Sequence, residues 1–291
     1  MQHAAEPIVI LPTPTPTPAV ETAFYAPQKP SRAVQRYAPE RGLVRRLRTA
    51  QAHDGIGDLA LRHDLDPETR ERLAAELIKA GAPPITPTVA ETALSRLLRF
   101  EPLNADALRP FLVLSTDRAL RAVAMTLIGE AMRRAGRSVR LVSDAIDARD
   151  NPVLSKAGKR LGCGITRYDG APNCVDILRK TDLACLSIIE AGFRAPLDRV
   201  AMLRLNTLIQ STGAEPVMVM RPEDAPLAVT LSKIGLKRII LVRDENPLQL
   251  GPVFTALRDS NLVIAEVMDM REKKAVMTPA RASEMAILLT E

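Results

Sequence analysis

The fold is decided at residues 111–125, which read Phe-Leu-Val-Leu-Ser-Thr-Asp-Arg-Ala-Leu-Arg-Ala-Val-Ala-Met. An apolar strand pattern runs through one short turn into a helical pattern. In nucleotide-binding α/β domains the first turn of this kind cradles phosphate, and glycines let bare backbone N–H groups approach the anion. This turn has no glycine, and Asp117, Arg118 and Leu120 put side chains where phosphate would lie. The segment therefore predicts the architecture of a nucleotide site without its chemistry.

From about residue 109 onward, short apolar runs alternate with amphipathic helical patterns, which is the signature of βαβ units. Parallel strands need crossover helices, so the pattern predicts an α/β fold with a doubly wound, mostly parallel sheet. The candidate strands are 111–115, 139–143, 183–189, 216–220, 238–242 and 262–267. The candidate helices are 118–135, 152–161, 173–180, 197–212, 225–234, 247–259 and 279–290.

The first third of the chain has a different character. Its proline-rich beginning predicts an extended tail without a packed core. Helical patterns follow, and Asp66 and Thr86 each precede a proline, as helix N-caps often do. We therefore expect a flexible tail (1–40), a small helical domain (41–104) and an α/β domain (105–291).

Composition limits the kinds of partner. The 291-residue chain is 46% hydrophobic, which indicates a folded protein. Its formal net charge of +6 suits contact with anionic membrane or RNA, although a soluble protein with an arginine-rich surface is the favoured interpretation. Aromatic residues make up only 3%, which disfavours stacking surfaces for nucleic acid. The three cysteines lack metal-ligand spacing and indicate reduced thiols in the cytosol. There is no signal-peptide pattern and no run of about 20 apolar residues, so we expect any membrane contact to be peripheral.

Three segments together resemble one family. The first is a strand that ends in an acid at Asp144 and precedes the helical segment 152–162. The second is the segment 234–246, Ile-Gly-Leu-Lys-Arg-Ile-Ile-Leu-Val-Arg-Asp-Glu-Asn, behind the strand Val-Met-Val-Met. The third is Leu-Gly-Pro-Val-Phe-Thr-Ala-Leu at 250–257, which runs into the strand 262–268. They resemble the G domain of the signal-recognition-particle (SRP) GTPases, and among these the flagellar FlhF family most.

The resemblance implies a P-loop NTPase-like G domain preceded by a small helical N domain. It places the family's phosphate loop, Gly-x-x-Gly-x-Gly-Lys-Thr, on residues 115–122, where every glycine of the loop is replaced. Arg121 stands where the phosphate-binding lysine would be, and its guanidinium fork is bulkier than an ammonium group. Ala122 stands where the family has the hydroxyl that holds Mg²⁺.

The family's Asp-Thr-x-Arg motif falls on residues 144–147. Asp144 keeps the acid, and Asp147 replaces the arginine. Two neighbouring acids could hold a metal ion. Solvated acids at a strand end explain the pair more simply, so we expect no metal site.

Two further family motifs are altered. The Asp-Thr-Ala-Gly-Arg motif falls in 187–194, where Gly192 and Arg194 match its glycine and arginine while its aspartate has no clear counterpart. The guanine-reading Thr-Lys-x-Asp becomes Val-Arg-Asp-Glu, in which either Asp244 or Glu245 would meet guanine.

Phosphoryl transfer needs positioned N–H donors, a lysine and Mg²⁺, so these replacements predict no catalytic residue and no cofactor. The resemblance then implies an FlhF-like pseudo-GTPase that acts as an interaction module in flagellar assembly or placement. We expect it in the cytoplasm or at the inner face of the cell membrane. Protein partners, such as flagellar basal-body or polar factors, would meet the surfaces near 115–122, 144–151 and 187–194. Any oligomer should form without nucleotide.

The alternative is a divergent GTP-binding GTPase of the SRP type, involved in protein targeting to the membrane. Under this alternative, GTP and Mg²⁺ would be held by residues of the altered motifs: Ser115, Arg118, Arg121, Asp144, Gly192, Arg194, Asp244 and Glu245. A third hypothesis is binding of RNA or anionic membrane through a basic amphipathic helix at residues 41–48, although an ordinary bundle helix with a solvent-exposed arginine face is favoured. The basic residues of that helix are Arg41, Arg45, Arg46 and Arg48.

Overall fold

The computed structural model describes residues 55–82, 84–144, 152–180, 184–246, 248–272 and 274–291. The helices are α1 (Ile56–Arg62), α2 (Pro67–Lys79), α3 (Pro87–Leu97), α4 (Arg118–Arg134), α5 (Pro152–Leu161), α6 (Gly170–Arg179), α7 (Arg199–Thr212), α8 (Ala225–Ser232), α9 (Gly251–Asp259) and α10 (Ala282–Thr290). The strands are β1 (Phe111–Ser115), β2 (Ser138–Asp144), β3 (Ile165–Tyr168), β4 (Cys185–Gly192), β5 (Glu215–Met220), β6 (Arg238–Arg243), β7 (Val263–Asp269) and β8 (Val276–Pro279).

The strands form one sheet in the order β3-β2-β4-β1-β5-β6-β7-β8, which is parallel except for the antiparallel pair of β7 and β8. Successive residues of β1 face opposite sides of this sheet. Phe111 and Val113 pack with α4 and α5, whereas Leu112 and Leu114 belong to the core beneath the other helices. Every residue of β1 is buried because helices cover both faces. The predicted α/β fold with a doubly wound, mostly parallel sheet is therefore confirmed.

The structure corrects the prediction at both edges of the sheet. The sequence analysis predicts no strand at β3 or β8, because four residues are too few to show alternation. The helix predicted to begin at 279 begins at Ala282, since Pro279 ends β8. Proline is tolerated there because an edge strand leaves backbone donors unused. The helices predicted at 173–180 and 247–259 begin at Gly170 and Gly251.

The helices before the sheet pack directly on it. α3 lies against α10, and α2 contacts α9. Leu77 and Leu94 are fully buried in the same hydrophobic cluster as Ile264 of β7. These helices therefore close one face of the sheet. The division of the chain after residue 104 stays a prediction.

The membrane hypothesis concerns residues 41–48, which lie outside the described residues. Within the described ranges, no helix has both the length and the apolar character needed to cross a membrane. Peripheral contact with a membrane stays a prediction.

One carboxylate in the turn before α2 ties the helical segment to the sheet. Asp66 is the N-cap of α2, and its Oδ1 accepts hydrogen bonds from the N–H groups of Glu68 (3.0 Å) and Thr69 (3.1 Å). Oδ1 also accepts one from Nη1 of Arg258 (2.8 Å), and Oδ2 accepts from the hydroxyls of Thr69 and Thr255 (both 2.5 Å). Burial alone would raise the pKa of Asp66, but the hydrogen bonds, from Thr255 first, hold it well below its usual range.

The same turn is pressed against the start of α9. The N–H of Gly251 donates to the carbonyl oxygen of His63 at 2.7 Å. A Cβ at position 251 would lie 1.9 Å from the carbonyl oxygen of Asp64, so only glycine permits this approach. The ring nitrogens of the buried His63 lie 2.9 Å from the carbonyl oxygens of Leu248 and Leu289. The glycine of the segment 250–257 therefore has a packing role.

Candidate functional site

A cleft of about 490 Å³ lies where the starts of α4 and α7 meet the carboxyl ends of β2 and β4. In open parallel α/β sheets, ligands bind at this edge. Five of the eight residues that the GTP-binding alternative assigns to nucleotide line the cleft: Arg118, Arg121, Asp144, Gly192 and Arg194. The structure therefore brings most of the predicted site residues together.

The turn from β1 into α4 is closed by its own carboxylate. Asp117 is the N-cap of α4, and its Oδ1 accepts hydrogen bonds from the backbone N–H groups of Ala119 (2.7 Å) and Leu120 (3.2 Å). The N–H of Asp117 donates to Oγ of Ser115 at 3.2 Å. The first N–H groups of a helix are those that would otherwise bind an anion. The Asp117 carboxylate therefore stands where the sequence analysis predicts a side chain in place of phosphate.

The prediction for Leu120 is wrong. Its side chain is buried in the core between the sheet and α4, among residues such as Val113 and Met125. The reason is its position on the inner face of the helix, where an aliphatic side chain packs rather than facing the cleft. Arg118, the first residue of α4, is only half-buried and lines the cleft.

Arg121 is held beneath the turn. Its side chain is almost completely buried, and its Nη1 donates to the carbonyl oxygen of Ser115 at 2.6 Å. Its Nε lies 3.8 Å from Oε2 of Glu190, which is fully buried. Glu190 also accepts a hydrogen bond from the hydroxyl of Ser143, and its backbone carbonyl accepts one from Tyr168. Because a charge in the interior requires an opposite charge beside it, Arg121 is committed to Glu190.

Arg221, which directly follows β5, joins acids from three different turns. Its Nε donates to Oδ2 of Asp244 at 2.9 Å, and its Nη1 lies 3.5 Å from Oδ2 of Asp117. Its backbone N–H donates to Oδ2 of Asp224 at 3.3 Å. Burial would raise the pKa of Asp244, but the hydrogen bond from Arg221 lowers it. The acid that would read guanine under the GTP-binding alternative is therefore linked, through Arg221, to the turn on which the resemblance places the phosphate loop.

Asp144 at the end of β2 forms an ion pair with Arg204 of α7. Its predicted companion Asp147 lies outside the described residues. Among the residues that the structure describes, no group of three His, Cys, Asp or Glu side chains is placed to hold a metal ion. Asp144 is thus paired with a cation of α7.

The remaining predicted residues are spread around the site. Gly192 pairs in register with Ser115 across β4 and β1, which places it at the floor of the cleft. Arg194 is exposed at the rim. Glu245 is exposed beyond β6 and does not line this cleft. Of the two candidate guanine readers, Asp244 is thus the one connected to the rest of the site.

Three residues that shape the site escape the sequence analysis: Glu190, Arg204 and Arg221. Glu190 leaves a usable signal, because a lone acid in an otherwise uncharged strand requires a buried cation nearby. Arg221 follows the last residue of a strand, the position where site residues of parallel sheets collect. Arg204 is one of two arginines on the amphipathic helix α7, and no local pattern distinguishes it from Arg199.

Solved structures share this fold. FlhF complexed with GMPPNP and Mg²⁺ has a TM-score of 0.63 at 14% identity, with 84% of this chain and 99% of that chain covered. Chloroplast FtsY from Physcomitrella patens has a TM-score of 0.64 at 14% identity, covering 81% of this chain and 87% of that one. FtsY from Thermotoga maritima gives 0.51 at 19% identity, covering 78% and 90%. No protein-family model and no curated protein matches the sequence. The chain therefore has the fold of the SRP-type GTPases, and the predicted likeness to them and to FlhF is confirmed at the level of the fold.

Proposed function

We propose that this protein is a pseudo-GTPase, an interaction module that keeps the fold of the SRP-type GTPases and works without nucleotide. It acts in the cytoplasm or at the inner face of the cell membrane. Its partners are proteins of flagellar assembly or placement, the role that the resemblance to FlhF implies. No catalytic step is assigned to it.

The Asp117 carboxylate is the observation that carries the proposal. It already accepts hydrogen bonds from the first free N–H groups of α4, the donors that a phosphate would need. A triphosphate would have to displace this carboxylate and would meet its negative charge. Ala122 offers no oxygen for Mg²⁺, and Asp244 is hydrogen-bonded to Arg221. This set of donors does not fit Mg²⁺–GTP, which supports the proposal.

The divergent GTP-binding protein is the second candidate, and the arginines of the cleft favour it. Arg118, Arg121 and Arg194 all line the cleft. A relative in fold, FlhF, has been solved with GTP and Mg²⁺. To reach phosphate, however, the guanidinium of Arg121 would have to move away from Glu190. The buried Glu190 carboxylate would then lose its neighbouring cation. Breaking one side of a buried ion pair costs about 3–5 kcal/mol, so we rank this candidate second.

Titration of the full chain with a fluorescent GTP analogue, with and without Mg²⁺, tests the proposal. We expect no saturable signal, because the donors for phosphate are occupied. Saturable, Mg²⁺-dependent binding at micromolar concentration would contradict the proposal if Arg121→Ala or Arg194→Ala abolishes it. Arg134→Ala is the matched control. It removes an exposed arginine at the opposite end of the 17-residue α4.

A pull-down from native lysate, with and without added GTP, tests the assignment of partners. We expect flagellar basal-body or polar proteins to be recovered equally under both conditions. Recovery that requires GTP would favour the second candidate. Recovery of membrane-targeting components instead of flagellar ones would contradict the flagellar role.

A further inference from the structure

We propose that the cleft and the exposed side of α7 form one docking surface for an acidic, amphipathic segment of a partner protein. The inference rests on the proposed function, since a protein segment can enter the cleft only if no nucleotide fills it. The term basic cleft is used below for the cleft defined above. Its charged lining residues are Arg118, Arg121, Asp144, Arg194 and Arg204.

The charge of the basic cleft selects an anionic partner. Its lining contains four arginines and one acid, Asp144; because Arg121 is committed to the buried Glu190, the charge that meets a partner comes from the other three arginines. Arg194 is exposed at the rim, and the side chain of Arg204 is 53% exposed although it is paired with Asp144. A planar guanidinium can hold a carboxylate through two parallel N–H···O bonds. A partner that brings carboxylates therefore matches this rim.

Helix stability does not account for the arginines at the starts of α4 and α7. Arg199 is the first residue of α7 and is exposed, and Arg118 is the first residue of α4. A cation at a helix N-terminus opposes the helix dipole. Both helices thus carry an arginine where it is unfavourable for the isolated helix, and Arg118 lines the basic cleft. The N-cap carboxylates Asp117 and Asp198 offset part of this unfavourable interaction, and an anionic partner would offset more of it.

Two exposed aliphatic side chains on α7 give the surface its apolar part. Val200 is 75% exposed and Leu203 is 65% exposed. Three positions apart on a helix, they are neighbours on one side of it. The same helix lines the basic cleft through Ala201 and Arg204. Arg204 is four positions from Val200 and follows Leu203, so the aliphatic pair lies next to Arg204 at the edge of the cleft. Aliphatic residues next to arginines are typical of protein docking sites.

The combination favours a protein segment over a phosphate compound. The N–H groups that would cradle phosphate are occupied by Asp117, and a phosphate has no apolar part to cover Val200 and Leu203. A second copy of this chain is also disfavoured, because two chains of net charge +6 repel each other. A segment with carboxylates around leucine-like side chains matches both features.

A displayed library of random helical peptides, panned against the full chain without nucleotide, tests the docking surface. We expect enrichment of peptides that combine acidic and aliphatic residues. The affinity of the selected peptides, measured by fluorescence anisotropy, should fall by about tenfold or more in Arg194→Glu and in Leu203→Asp. Arg134→Glu and Leu108→Asp are matched controls, since they change an exposed arginine and an exposed leucine elsewhere and should leave the affinity unchanged.

Enrichment of basic or neutral peptides would overturn the inference, and so would acidic binders that are indifferent to Arg194→Glu and Leu203→Asp. Light scattering of the chain alone must give a monomer that Leu203→Asp leaves unchanged; a dimer disrupted by this variant would assign the surface to a second copy instead. Adding Mg²⁺–GTP separates the two proposals. Loss of peptide binding on addition of GTP would contradict the nucleotide-independent function while leaving the docking surface in place.

Discussion

Two helices of this protein begin with an aspartate cap that also meets an arginine, and the two caps have different consequences. Asp66 starts α2 and accepts hydrogen bonds from two backbone N–H groups, two hydroxyls and Arg258. Asp117 starts α4, accepts two backbone N–H bonds, and lies 3.5 Å from the guanidinium of Arg221. The first joins elements that are far apart in sequence. The second mainly closes its own turn.

The same N-cap carboxylate can therefore either hold two helices together or occupy the N–H groups that would bind an anion. In both places a carboxylate takes up the free N–H groups of a helix. At α2 the remaining lone pairs bind α9, so the cap holds the helical segment on the sheet. At α4 the cap occupies the donors of an anion site at the ligand-binding edge. The packing region has a glycine at position 251, whereas residues 115–122 contain none.

The largest effect is expected for Gly251→Ala, which breaks the packing region. The new Cβ would meet the carbonyl oxygen of Asp64 at 1.9 Å, so the turn must move away from α9. We expect a loss of about 4 kcal/mol in the free energy of unfolding, measured by urea denaturation. Gly57→Ala is the matched control, because its Cβ would meet nothing within 4 Å and alanine suits a helix interior. Equal stability of the two variants would refute the packing role of Gly251.

Asp66→Asn should have the next largest effect. We expect it to lower the free energy of unfolding by about 3 kcal/mol at neutral pH, because it weakens an entire hydrogen-bond network. The pKa of Asp66 is lowered in the folded state, so its stabilisation is complete above the ordinary value of 3.8 and is lost as the pH falls. The difference in unfolding free energy between the wild type and the variant should therefore shrink below pH 3.8. Asp198→Ala removes a cap whose carboxylate accepts a hydrogen bond from the N–H of Ala201, and should lower the free energy of unfolding by only about 1 kcal/mol. A difference that does not depend on pH would contradict the account of Asp66.

Asp117→Ala should lower the free energy of unfolding by only about 1 kcal/mol, because the Asp117 cap mainly stabilises its own turn. Arg221 keeps its hydrogen bond to Asp244, which limits the loss. Urea or thermal denaturation of Asp117→Ala and Asp66→Ala under the same conditions measures the two losses. A loss as large as that of Asp66→Ala would remove the distinction between the two caps.

Glu266→Gln should have the smallest effect, and it should raise the free energy of unfolding rather than lower it. Glu266 is buried in β7, and burial raises its pKa although the N–H of Leu103 donates to it at 3.1 Å. An acid with a raised pKa loses stability as the pH rises through the folded value. Glutamine keeps an acceptor for Leu103 without the charge, so we expect a gain of up to about 1 kcal/mol at neutral pH. The gain should vanish below 4.5, the ordinary pKa of glutamate. Urea denaturation at both pH values measures it, and a destabilised variant at neutral pH would show that the charge is needed.

Sequence patterns are sufficient where one local rule decides the structure. The cap at Asp66, the strand 111–115 and the six-strand parallel core follow from capping and periodicity alone. The missing phosphate-loop glycines also predict correctly that the turn presents a side chain instead of bare N–H groups. What sequence cannot supply is the pairing of distant charges. Arg121 with Glu190 and Arg221 with Asp244 depend on which strand ends become neighbours.

The most direct test of the central claim is a crystal structure of the full chain grown with excess GMPPNP and Mg²⁺. The account predicts that the Asp117 carboxylate still accepts hydrogen bonds from Ala119 and Leu120 and that Arg121 still lies beneath the turn beside Glu190. Ordered phosphate density on the N–H groups of α4, with Asp117 turned away, would contradict it.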